Sequence, residues 1–89
     1  MATIIPFPQA AAWTQAERDA LTSLAARLSA AITFGVADGA PWAVFELPLG
    51  GSRFSVVRER GRVAVLDEQG QRTAEGGTVA QVVKYLEAK

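Results

Sequence analysis

The chain contains no cysteine and no histidine. The first absence excludes disulfides and thiolate metal sites as sources of stability. The second removes the commonest general base and the commonest neutral metal ligand. Neither a Ser-His-Asp nor a Cys-His arrangement can therefore be assembled from these residues. An excess of one charge is also lacking, because nine basic residues balance nine acidic ones. Any attraction to nucleic acid or to an anionic membrane has to come from a local patch. No stretch approaches the roughly 20 apolar residues of a membrane span. The opening MATIIPFPQAAAW has no Lys or Arg and is interrupted by Pro6 and Pro8, unlike a secretory signal. These absences predict a soluble, cytoplasmic, non-enzymatic protein with no cofactor, no metal and no membrane partner.

Hydrophobic residues make up 49% of the 89 residues and charged residues 20%. That composition belongs to a globular chain and not to a disordered one. The length suits one domain over residues 1–89, in which 1–12, broken by two prolines, reads as an extended or flexible arm. Seven of the nine cations are arginine and alanine is frequent, the codon habit of a GC-rich bacterial genome.

Two helices are predicted from their start signals. TQAE places Thr14 as N-cap and Glu17 at the third helical position, a capping box. Beyond it Leu21, Leu24, Ala25, Leu28 and Ile32 recur at spacings of three and four, so the helix is predicted to run to about Ala31. Near the end of the chain Gly76-Gly77 breaks the backbone. Thr78 and Gln81 form a second capping-box pattern, and Val79, Val82, Val83 and Leu86 make an apolar stripe with Tyr85 at its margin.

Between the helices the period becomes two. ITFGVADGAPWAVFEL reads as strand, Asp38-Gly39 turn, strand. Gly50-Gly51 marks the next turn, and Phe54, Val56 and Val57 belong to a third strand. Arg60-Gly61 makes another turn before Val63–Leu66, and DEQGQ closes the sheet. The predicted fold is α+β in two layers: an N-terminal helix, an antiparallel meander of three or four strands, and a C-terminal helix. Both helices pack on one face of the sheet. Alternation along the third strand puts Phe54, Val56 and Arg58 toward the helices, and Arg53, Ser55, Val57 and Glu59 toward solvent.

The candidate binding residues are Arg53, Arg58, Arg60 and Arg62, with Trp13 and Trp42. Arginine forks match phosphate oxygens, and a hairpin tip at Arg60-Gly61 would gather the four at one end of the sheet. Carboxylates Glu59, Asp67 and Glu68 stand within reach to neutralise them. The order helix, meander, helix resembles the double-stranded-RNA-binding domain in topology alone. The lysine cluster that opens that fold's last helix has no counterpart in EGGTVAQ. The Trp side chains suit lids over the core edge, or an anchor for a partner. The leading expectation is an interaction or regulatory module that binds another protein or itself. Weak nucleic-acid binding through the arginine hairpin is the alternative. A small-molecule pocket between helices and sheet ranks third.

Overall fold

The computed structural model describes residues 13–37, 39–48 and 51–88. The 1–12 arm lies outside the described residues, as do Asp38 and Gly50 of the expected turns. The elements are α1 (Gln15–Leu28), β1 (Ala31–Ala37), β2 (Ala40–Glu46), β3 (Arg53–Glu59), β4 (Arg62–Leu66), β5 (Arg72–Gly76) and α2 (Val79–Glu87). All five strands form one antiparallel sheet in the order β1-β2-β3-β4-β5. The α+β two-layer arrangement is as expected, with one strand more than the meander of three or four. The fifth strand, RTAEG, turns only Ala74 and Gly76 toward the core. It therefore has no apolar alternation to announce it.

Helix α1 begins as its sequence dictates. The Thr14 side chain accepts the Glu17 N–H, and Glu17 Oε1 accepts the Thr14 N–H at 2.9 Å. It ends earlier than the apolar spacing implied. Ser29 turns to φ 57, and the Ala30 N–H returns to the Ala25 carbonyl at 2.8 Å. This stop frees β-branched Ile32, expected on the helix stripe, to become a core-facing residue of β1. Helix α2 is capped by the Thr78 side chain, but the Gln81 side chain accepts the Gly77 N–H at 2.7 Å and does not close a capping box on Thr78.

One core joins the layers. Leu21, Leu24 and Ala25 of α1 and Val79 and Val82 of α2 meet Ala43, Phe45, Val56, Val63 and Val65 from a single face of the sheet. Both helices therefore lie on that face, and among the described residues no helix covers the other. Phe45, wholly buried, stacks on Phe54 with ring centroids 4.7 Å apart. Arg27 at the end of α1 pairs with Glu87 at the end of α2.

The turns explain the edges. Arg60 and Gly61 both have positive φ (52 and 78), the type I′ geometry that suits a two-residue hairpin. Asp67 Oδ1 accepts the N–H groups of Gln69 and Gln71, and Gly70 at φ 83 completes the turn into β5. DEQGQ thus links β4 to β5 and does not end the sheet. A bulge at Thr73 follows, since Val65 pairs with Ala74 and Leu66 with Arg72.

Candidate functional site

The register sorts the candidate residues onto two faces and two ends. Arg58 lies on the helix side of β3, opposite Val63. Its guanidinium pairs with Glu17 Oε2 and sits 5.2 Å from the ring centroid of Trp13. Trp13 is buried, at 6% exposure, and its Nε1–H finds no acceptor among the described residues. Trp13 closes the end of the core, held there by Arg58. Arg53 lies on the open face at the far end of β3. It pairs with Glu46 at 2.9 Å, while its N–H donates to Glu68 at 3.0 Å. The four arginines therefore do not gather at one end: Arg58, Arg60 and Arg62 share the hairpin end and Arg53 stands apart.

Arg62 belongs to a chain of charges that includes two residues sequence reasoning passed over. Arg62 Nε donates to Glu75 at 2.9 Å, and Arg72 donates to Glu59 at 2.7 Å and to Glu75 at 3.5 Å. The Thr73 bulge makes this possible, because it turns Arg72 and Glu75, three apart in sequence, onto the same open face. To reach Glu59 on β3 from β5, the Arg72 side chain crosses β4. Ala64 stands between the partners of those two residues, and it is 1% exposed although no helix among the described residues covers that face. Arg72 roofs it. Of the four hairpin arginines, Arg60 alone has no carboxylate partner among the described residues. A basin of about 660 Å³ at this end is thus lined by Arg58, Arg60, Arg62 and Arg72 together with Glu59 and Glu75. Its charges are largely compensated.

The β1 side of the molecule is built differently. Trp42 lies on the open face, and its indole covers Gly35 so closely that no Cβ fits there. Val44 and Val57 continue the apolar surface beside it, both half-buried. On the helix side of the same strand, Arg18 stands 4.3 Å over the Phe34 ring. A groove of about 200 Å³ runs there between Trp13, Arg18, Phe34, Gly35, Val36 and Pro41.

Strand β1 itself, AITFGVA, has no charged residue and no proline, and β2 is its single neighbour among the described residues. Ala37 opposite Ala40 closes a two-residue connection. In an antiparallel ladder this makes Ala31, Thr33, Gly35 and Ala37 the residues bonded to β2. Pro41, which has no N–H to give, stands opposite Val36 at a position that asks for none. The N–H and C=O groups of Ile32, Phe34 and Val36 then point outward from the sheet. Val36 is 54% exposed.

At the opposite end of the core, an apolar groove of about 340 Å³ lies between Leu28, Leu47, Phe54, Val65, Tyr85 and Leu86. The pocket envisaged between helices and sheet would fall here. Its lining is continuous with the core. Among the described residues no helix is long and apolar enough to cross a membrane, and no three acidic side chains are disposed to hold a metal ion. No family model, curated protein or solved structure matches the chain.

Proposed function

We propose that the protein is a non-enzymatic interaction module that binds a protein partner by strand addition along the outer edge of β1. The uncharged, proline-free edge carries this reading. Proteins ordinarily blunt such an edge with charge, proline, a bulge or brevity, because its free N–H and C=O groups template pairing with another chain. Strand β5, at the other edge, has three of these devices: five residues, a bulge and two charges. Strand β1 has none, and a partner's strand would satisfy its outward backbone groups while its alternate side chains meet the flanking apolar surface.

The carboxylates support the non-enzymatic half of the reading. Glu17, Glu46, Glu59, Glu75 and Glu87 are held by arginines. Asp19 accepts from Gln15, Asp67 from its own turn and Glu68 from the Arg53 N–H. Every described acid therefore has a structural task. The arginine hairpin offers a nucleic acid little by comparison, since only Arg60 is uncompensated and phosphate binding needs several free cations.

The test is capture of partners by the tagged full chain from its native cell, beside a Val36→Lys variant. The lysine adds an edge charge at an exposed position without touching the core. The expected result is a protein retained in stoichiometric amount by the wild type and lost from the variant, with the variant's far-UV dichroism unchanged. Equal retention by both would refute the edge as the binding site.

A further inference from the structure

We infer that the partner is a second copy of this chain. The two copies join antiparallel through β1 about a two-fold axis at Phe34, and their five-stranded sheets become one sheet of ten strands. This inference rests on the reading of the β1 edge as a binding site. It goes further by naming the occupant.

The strand is uncharged on both sides of its middle, and two of its three mirrored pairs match in kind. Phe34 is the fourth of seven residues, and the pairs around it are Thr33 with Gly35, Ile32 with Val36, and Ala31 with Ala37. A two-fold antiparallel pairing sets each against its counterpart in the other copy. The backbone agrees, because the residues at the symmetric bonded positions, Ile32, Phe34 and Val36, are those whose N–H and C=O groups face outward. Self-pairing brings no like charges together within the strand, since it has none.

The side chains agree on both faces. On the helix side, Ile32 of each copy arrives opposite Val36 of the other. There it enters the groove of about 200 Å³ bounded by Trp13, Arg18, Phe34 and Pro41, and covers the 54% exposed Val36. On the open side, Thr33 of one copy meets Gly35 of the other, where the Trp42 indole already lies. The two Arg18 side chains approach across the axis, each over its own Phe34 ring. Added salt screens that repulsion and does not weaken the pair. The symmetry is therefore isologous, the commonest form of homodimer.

The experiment is sedimentation of the full chain at about 100 µM, which populates any complex with a Kd of about 10 µM or tighter, alongside oxidative crosslinking. The wild type should run as a dimer that persists in about 0.5 M salt. Val36→Lys should run as a folded monomer. The native chain has no cysteine, so an Ile32→Cys/Val36→Cys double variant reports the register cleanly. Opposed strand positions have Cα separations of about 5.5 Å, within disulfide range. The double variant should oxidise to a covalent dimer, and an equimolar mixture of the two single variants should do the same. Each single variant alone should stay uncrosslinked.

A monomeric wild type would overturn self-pairing and leave strand addition to be judged by the capture experiment. A dimer that survives Val36→Lys, dissociates in salt, or fails to crosslink through positions 32 and 36 is held by another surface, and would overturn the β1 axis. So would docking of the chain's own residues 1–12 along this edge, seen as loss of outer-edge amide protection when they are deleted from a monomer.

Discussion

Glu17 does two jobs with two oxygens, and replacing it separates them. Oε1 closes the capping box on Thr14, and Oε2 holds Arg58. The Arg58 and Glu17 side chains are 23% and 21% exposed. The pair therefore lies well outside the class of solvated ion pairs, worth about 0–1 kcal/mol. Glu17→Ala removes a capping hydrogen bond, worth about 0.5–1.5 kcal/mol, and a bond to a charged group, worth about 1.5–3 kcal/mol. It also strands a mostly buried guanidinium over Trp13. The expected loss is about 2–4 kcal/mol, a large share of the roughly 4–13 kcal/mol available to a domain of this length. Glu17→Gln keeps an acceptor for Thr14 and loses only the charge, so about 1–2 kcal/mol is expected. Urea unfolding followed by far-UV dichroism measures both. With a slope near 1 kcal/mol/M the Ala variant's midpoint should fall by about 2–4 M. Arg58→Met keeps an apolar stem on Trp13, and a double-mutant cycle with Glu17→Gln should show coupling of about 1–2 kcal/mol. If Ala and Gln cost the same, or the cycle shows additivity, then Arg58 is not anchored by Glu17 and Trp13 is not closed in as described.

Four further outcomes are expected. Phe45→Ala should cost about 3–5 kcal/mol in chemical denaturation, because a wholly buried ring stacked on Phe54 leaves a cavity beneath both helices. Gly35→Ala should lift the Trp42 indole from the sheet, seen as a red shift of fluorescence in a Trp13→Phe background; an unchanged spectrum would contradict the close approach. Arg60→Glu, at the solvated hairpin tip, should change stability by no more than about 0.5 kcal/mol. Titration of the wild type with short RNA or DNA should leave the hairpin's NMR signals unmoved at physiological salt. Salt-sensitive shifts there would favour nucleic-acid binding over strand addition.

What the sequence disclosed was what local chemistry decides. Thr14, Glu17 and the Leu21–Leu24–Leu28 spacing mark the first helix because capping and periodicity act within a few residues. Alternation along 53–59 correctly separates Arg58 from Arg53, since side-chain direction in a strand depends only on parity. The misses are long-range. RTAEG pairs with β4 on backbone bonds and a single alanine, and nothing in its composition says so. The acids that neutralise the arginines are Glu17, Glu46 and Glu75 as well as Glu59. Three of these, Glu17, Glu46 and Glu75, lie outside the arginine hairpin in sequence and arrive from a helix, another strand, or past a bulge. The bulge itself, which aligns Arg72 with Glu75, comes from tertiary pairing. The unguarded edge of β1 was readable as a string of uncharged residues. That it is an edge became visible only once the strand order was known.

The contrast between the two flanks of the sheet has a consequence for how far assembly can proceed. The β5 flank is short, kinked at Thr73 and carries Arg72 and Glu75, while α2 packs alongside. A chain that has spent its one adhesive margin on a twin presents two guarded margins to the outside. If two copies pair through β1 as inferred above, both outer margins of the pair are β5 edges, and growth by edge addition ends there without seeding a filament.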